Sequence, residues 1–184
     1  MKTLLKYLPL ISLALLIGCS SSQNKKFTAQ QLEELDALIE AKSFEFVANW
    51  ARPLTTSAFN QIATAGLLLP GSTPNNIDLT GNANYFRMVG DSVYAYFPYY
   101  GERQMGAVYP GTDNSIHFQG IPDDFSMERN EKGYKFSFTI NDRTETYQVN
   151  AQWFPSKTGN ININSSQRFP IAYSGRIDTF EPKQ

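Results

Sequence analysis

The chain has 184 residues, a single cysteine, a single histidine and a formal net charge of −1. This length suits one domain with a sizeable core, and a charge near zero argues against general nucleic-acid binding, which needs a basic face. Thirteen Phe, ten Tyr and two Trp residues can bury large apolar areas, so the core can be stable without disulfides.

Residues 1–18 have the composition of a cleaved secretory signal peptide. Lys2 and Lys6 give a basic start, residues 8–17 form a mainly apolar run, and a small residue follows. About ten apolar residues are too few for a membrane-spanning helix, which needs about 20, whereas this order of parts is typical of a signal peptide. The stretch Leu16-Ile17-Gly18-Cys19 resembles a bacterial lipobox. An ordinary signal peptide with an incidental cysteine is the alternative.

The lipobox predicts that Cys19 is lipidated, with acyl chains such as palmitate, and becomes the mature N-terminus. Several acyl chains would hold the protein stably on a membrane, and residues 20–26 form a Ser-rich flexible tether. Ser20, in place of the Asp that retains such proteins at the inner membrane, favours the outer membrane. The lack of a clear acidic cluster in the tether favours its periplasmic side. With Cys19 in the anchor, the chain has no thiol for a disulfide, a zinc site or a cysteine nucleophile.

The first predicted element after the tether is a helix over residues 29–42. Thr28 and Gln31 have the spacing of a capping box. Four apolar residues then recur at helical spacing: Leu32, Leu35, Leu38 and Ile39. We expect this stripe to pack on the domain, with a partner or membrane surface as the alternative.

The rest of the chain has the alternating pattern and turn residues of short strands. Residues 44–53 come first, with Phe44, Phe46, Ala48 and Trp50 on one face. Residues 55–75 predict a long irregular loop, in which Leu67–Leu69 form either a short strand or a plug in the core. Further strands are predicted at 85–89, 92–97, 115–119, 125–129, 134–140, 144–153, 160–165 and 169–180.

These elements predict a single, mainly β domain over residues 27–184. The fold class is an antiparallel meander of roughly nine or ten strands, forming a sandwich or a barrel, with one N-terminal α-helix. No internal repeat or second domain is visible.

The order of five segments resembles the domain of unknown function 4251 family. The segments are GDSVYAYFPYYG (90–101), SIHFQG (115–120), GYKFSFTI (133–140), TYQVNAQ (146–152) and QRFPIAYSGRI (167–177). The resemblance covers about residues 41–180. The family's Leu-Pro-Tyr-Phe-Gly-Arg element corresponds to residues 97–103, with two substitutions and an added Glu102. The resemblance implies a secreted or lipid-anchored envelope protein of Gram-negative bacteria with this β architecture, and it implies no activity.

Catalytic and metal-binding groups are scarce in the sequence. His117 is the sole histidine, and a surface or satisfied core position explains a lone strand histidine more simply than catalysis. Asp113-Asn114 and Asp123-Asp124 have ordinary turn chemistry as their explanation. No metal site or cofactor is therefore predicted. A pair of carboxylates assembled by the fold, as in glycoside hydrolysis, is left open.

The best candidate for ligand recognition is the tyrosine-rich stretch from residue 94 to residue 109. Tyrosine combines an apolar face with a hydroxyl group, which suits partly polar ligands. The predicted ligand-binding residues are Tyr94, Tyr96, Tyr99, Tyr100, Arg103 and Tyr109. The alternative is that these rings pack the sheet edge. The side-chain amides of the alternating Asn160, Asn162 and Asn164 could bind sugars, although a solvated sheet face explains the pattern more simply.

Three functional hypotheses follow from these observations. The favoured one is a non-enzymatic lipoprotein that binds a small molecule, a glycan or an envelope protein, with no nucleic-acid partner. The second is a hydrolase that acts on envelope polymers through fold-assembled carboxylates. The third is a purely structural envelope component.

Overall fold

The computed structural model describes residues 27–105, 114–143 and 145–181. The signal peptide, the lipidation site and the tether predicted for residues 1–26 lie outside the described residues, and so does Tyr109. Within the described ranges, no helix is long and apolar enough to cross a membrane.

The first helix, α1 (Ala29–Glu40), begins where the capping box predicts and ends two residues earlier than expected. The Thr28 hydroxyl accepts a hydrogen bond from the Gln31 amide at 3.2 Å, and the Gln31 side chain accepts one from the Thr28 amide at 3.0 Å. The apolar stripe is buried in the domain core through Leu35, Leu38 and Ile39. The stripe therefore packs on the domain, as expected.

Within the described residues, ten strands form one antiparallel sheet. They are β1 (Ser43–Pro53), β2 (Ile77–Asp78), β3 (Tyr85–Val89), β4 (Ser92–Phe97), β5 (Ile116–Gly120), β6 (Asp123–Asn130), β7 (Gly133–Asp142), β8 (Glu145–Trp153), β9 (Thr158–Ser165) and β10 (Ile171–Thr179). The strand order is β5-β4-β3-β1-β10-β9-β8-β7-β6, and β2 pairs with β1. The sheet curls into a half-barrel, so that β5 contacts β7. The predicted fold class is confirmed, and the architecture is one curled sheet.

A second helix, α2 (Ser57–Thr64), lies in the segment that the sequence predicted to be irregular. Thr56 caps it, because its hydroxyl accepts a hydrogen bond from the Phe59 amide at 3.1 Å. The following leucines form neither a strand nor a plug in the core. Leu67 is 74% exposed and Leu69 is 43% exposed, whereas Leu68 packs partly against the core. A helix of two turns is too short for its periodicity to stand out from the flanking sequence.

Strand β1 departs from simple alternation at its centre. Phe44, Phe46 and Ala48 are buried as expected, but the register shifts between Ala48 and Trp50. This β-bulge leaves Trp50 half-buried instead of on the core face. The buried Asn84 satisfies the backbone there, since its side chain accepts a hydrogen bond from the Ala48 amide at 2.7 Å and donates one to the Ala48 carbonyl at 3.0 Å.

Trp153, fully buried, lies at the centre of an aromatic core. Its ring centroid is 5.0 Å from that of Phe46 and 5.2 Å from that of Phe136. Gly133 has a φ of +128°, and a Cβ there would lie 2.0 Å from the Trp153 carbonyl oxygen, so this position requires glycine. The inward face of β8 is buried at Tyr147, Val149, Ala151 and Trp153.

Candidate functional site

The chain that follows β4 runs beside the segment that leads into β10. The Phe169 amide donates a hydrogen bond to the Glu102 carbonyl at 3.1 Å, and the Gln104 amide donates one to the Gln167 carbonyl at 2.7 Å. Arg103 and Arg168 form an isolated β-bridge between the two segments. Two clefts lie along residues 99–103, one apolar and one charged.

Tyr99 connects the two clefts through the packing of its ring. Tyr99 is 8% exposed. Its hydroxyl lies 2.8 Å from the Glu102 carbonyl oxygen and 3.1 Å from the Phe169 carbonyl oxygen, and it can donate a hydrogen bond to either. The Arg168 guanidinium lies over the ring, 5.2 Å from its centroid. Burial raises the pKa of Tyr99 to about 12, so the phenol is neutral at physiological pH. A Cβ at Gly101 would lie 2.6 Å from this hydroxyl, and the close turn therefore fits glycine.

The apolar cleft has a volume of about 420 Å³. Helix α2 contributes Phe59 and Ile62, the loop after it contributes Leu67–Leu69, and the opposite wall is formed by residues 99–102. Tyr100 packs partly against the core, and burial raises the pKa of its hydroxyl. The only charged side chain in the described lining is that of Glu102, whose carboxylate accepts a hydrogen bond from Thr56. The cleft therefore offers a mainly hydrophobic surface with one acidic group.

The charged cleft, of about 290 Å³, is built around a buried ion pair. Arg168 Nε lies 2.7 Å from Glu145 Oε1 and Arg168 Nη2 lies 3.1 Å from Glu145 Oε2. The two side chains are 6% and 8% exposed. Burial opposes ionisation of Glu145, but hydrogen bonds from Arg168 and Ser165 outweigh it and lower the pKa of the carboxyl. Glu145 is therefore a carboxylate at neutral pH.

A second guanidinium faces the same carboxylate. Arg103 Nη2 lies 3.6 Å from Glu145 Oε2 and donates a hydrogen bond to Gln167 Oε1 at 2.7 Å. On another part of the wall, His117 Nδ1 lies 4.0 Å from Asp142 Oδ2, and both side chains are partly exposed. The cleft thus combines a buried pair with a more open rim.

The described residues among those predicted to bind a ligand lie in three places: the outer face of β4, the apolar cleft and the charged cleft. Tyr94 and Tyr96 lie on the outer face of β4, opposite the buried Val93, Ala95 and Phe97, and the Tyr96 ring packs against Tyr85. Tyr99 and Tyr100 line the apolar cleft, whereas Arg103 lines the charged cleft. Their roles in ligand binding stay predictions.

Several residues of the two clefts did not stand out in the sequence, among them Phe59, Ile62, Glu145 and Arg168. One signal was available for Glu145. It precedes Tyr147 by two positions and so falls on the inward face of β8, where a carboxylate needs a partner. Arg168 gave no such signal, because it lies in a loop and meets Glu145 only through the fold.

The fold also brings two carboxylates to one cleft, as the hydrolase hypothesis required. Asp142 and Glu145 are directly paired across β7 and β8, and both line the charged cleft. However, both Glu145 oxygens bind Arg168 and its pKa is lowered, whereas a general acid for glycoside hydrolysis needs a raised pKa. Over the described ranges, no group of three or more His, Cys, Asp or Glu residues could hold a metal ion.

The outer face of β7, β8 and β9 carries a shallow polar depression of about 410 Å³. Asn160 and Asn162 line it and alternate with the buried Ile161 and Ile163. This alternation agrees with a solvated sheet face. Sugar recognition by these amides stays a prediction.

A single curled antiparallel sheet, with two clefts along residues 99–103, places the protein in the class of small, mainly β domains. Within that class, the chain belongs to the domain of unknown function family DUF4251, whose model matches residues 26–177. The family resemblance seen in the sequence is thereby confirmed.

The fold is similar to the crystal structure of a DUF4251 family protein from Bacteroides eggerthii DSM 20697. The TM-score is 0.52 at 16% sequence identity, and the match covers 82% of this chain and 89% of that chain. At this identity the likeness shows a shared fold alone. A comparison with curated proteins found no match.

Proposed function

We propose that the protein is a bacterial envelope lipoprotein whose domain binds a small apolar ligand and catalyses no reaction. The lipobox at residues 16–19 supports an anchor at Cys19, and Ser20 supports the periplasmic face of the outer membrane. The observation that carries the binding proposal is the apolar cleft between α2 and residues 99–102.

The apolar cleft has the size and chemistry of a small-molecule site. Its volume of about 420 Å³ lies within the usual range of ligand pockets, roughly 300–1,000 Å³. Ile62 and Leu69, each 43% exposed, and the more exposed Leu67 would lose contact with water when a ligand binds. These exposed side chains all line the one cleft, and a bound apolar molecule would cover them.

The negative charge of Glu102 in the cleft lining disfavours ligands that carry a negative charge of their own. Because Glu102 is the only charged side chain among the described lining residues, a fatty acid would place its carboxylate near another carboxylate. A neutral or cationic amphiphile would avoid this repulsion. The ligand class is therefore a small neutral or cationic molecule with an apolar body.

Two matched substitutions test this site. Ile62, in the apolar cleft, is 43% exposed, and Val47, on the outer face of β1, is 40% exposed. In the purified protein, Ile62→Glu should weaken binding of the neutral fluorophore N-phenyl-1-naphthylamine by about tenfold or more, since it places a charge in the site. Val47→Glu should leave the affinity unchanged. Equal effects of the two substitutions, or no saturable binding to the unmodified protein, would contradict the proposal.

Competition with that fluorophore tests the charge selection. We expect 1-decanol to displace the fluorophore more effectively than decanoate, its anionic counterpart. Glu102→Gln, which keeps an acceptor for Thr56, should reduce this difference. A preference for decanoate would show that the ligand class is wrong.

A further inference from the structure

The buried charges of the charged cleft do not cancel. Arg168 and Glu145 neutralise each other as a bidentate pair, and Arg103 adds a second guanidinium 3.6 Å from the same carboxylate. The Arg103 side chain is only 18% exposed, so water screens its charge incompletely. The inner part of the cleft therefore carries one positive charge in excess.

The arginine and the carboxylate on the rim of the cleft add no further net charge. Arg143 and Asp142 lie together at the end of the β7–β8 hairpin and offset each other, while His117 lies beside Asp142. On the inner side, burial raises the pKa of the Tyr147 hydroxyl, which is therefore uncharged. The excess charge belongs to the pair of arginines around Glu145.

We infer that the charged cleft is a second binding site, which takes the carboxylate group of a small organic acid through Arg103. A guanidinium presents its N–H groups in a planar fork that matches a carboxylate. One such anion balances the single excess charge. Inorganic phosphate, which carries more than one negative charge at neutral pH, would leave an unbalanced charge facing Glu145 and Asp142.

Arg103 is the arginine that can respond to this anion. All three nitrogens of the Arg168 guanidinium donate hydrogen bonds. Its Nε and Nη2 bind Glu145, and its Nη1 donates to the Asn114 carbonyl at 2.5 Å. The Tyr99 ring below it also fixes its position. Arg168 therefore holds Glu145. Arg103 is held less firmly and is more exposed, at 18% against 6%, since its Nη2 binds Gln167 and its Nε donates only a long hydrogen bond of 3.5 Å to the Met105 carbonyl. The volume of about 290 Å³ is sufficient for a small acid.

Propionate and its neutral isostere propionamide provide the direct test. In the purified protein, titration with propionate should give saturable NMR shifts of the Arg103 Nε–H signal, whereas propionamide and chloride should not. Inorganic phosphate should bind more weakly than propionate. Equal shifts with propionamide, or tighter binding of phosphate, would overturn the inference.

Three variants distinguish specific propionate binding at Arg103 from nonspecific attraction of the anion to surface charge. Arg103→Gln should weaken propionate binding by about tenfold or more, because it removes both the charge and the fork. Arg176→Gln removes an exposed arginine on β10 and should change nothing. Arg103→Lys keeps the charge and should retain part of the affinity. For the variants, the readout is the shift of the backbone amide at residue 103. Unchanged affinity in Arg103→Gln, or equal losses at the two positions, would contradict the site.

Discussion

Arg168→Met should lower the free energy of unfolding by about 3–5 kcal/mol, the usual cost of leaving one member of a buried ion pair without its partner. Glu145 is 8% exposed and would lose the two hydrogen bonds from Arg168. Arg103, at 3.6 Å, can compensate only in part. Urea unfolding followed by circular dichroism measures the loss.

An exposed ion pair of the same geometry provides the control. Arg129 binds Asp36 in bidentate fashion, with distances of 2.9 Å and 2.8 Å, but its side chain is 50% exposed. Arg129→Met should therefore cost no more than about 1 kcal/mol. If the two substitutions cost the same, burial does not determine the strength of the Glu145–Arg168 pair.

The pH dependence of the Arg168→Met effect has a defined sign. Because the pKa of Glu145 is lower in the folded protein, its contribution to stability is complete above its unfolded pKa, about 4.3 for a glutamate. It is lost as the pH falls through the folded-state value. The difference in stability between the unmodified protein and Arg168→Met should thus shrink in acid. A difference that grew on acidification would contradict the lowered pKa.

Cys19→Ser should release the protein from the membrane fraction of the cell. The proposed anchor consists of acyl chains on this single thiol, and a serine hydroxyl cannot replace it in the lipobox. Fractionation followed by an alkaline wash measures the attached share. Ser22→Ala, in the predicted tether, is the control and should leave attachment unchanged. Continued attachment of Cys19→Ser would contradict the lipid anchor.

Local patterns were sufficient to predict most of the secondary structure. The capping box at Thr28 predicted the start of α1, and the strands predicted at 85–89 and 92–97 are β3 and β4. Alternation placed Phe44, Phe46 and Ala48 of β1 on one face, and all three are buried. These features depend on residues close together in the chain, so the sequence displays them directly.

Long-range pairing was the part that the sequence could not show. Strand β1 lies beside β10, the last strand, and no local pattern records this neighbour. The bulge after Ala48 depends on Asn84, which is 36 residues away in the chain. The two clefts have the same origin, since Glu145 and Arg168 meet across 23 residues. The tyrosine-rich stretch contributes Tyr99 and Tyr100 to one cleft and Arg103 to the other, a division that depends on the fold and not on local pattern.

Chemical-shift mapping with 1-decanol tests the assignment of the apolar cleft most directly. Backbone amide shifts of the purified protein should change saturably at residues 58–59, 62, 67–69 and 99–102, which line the cleft. The outer face of β4, with Tyr94 and Tyr96, should stay unchanged. Shifts confined to that outer face, or no saturable change at α2, would contradict ligand binding in this cleft.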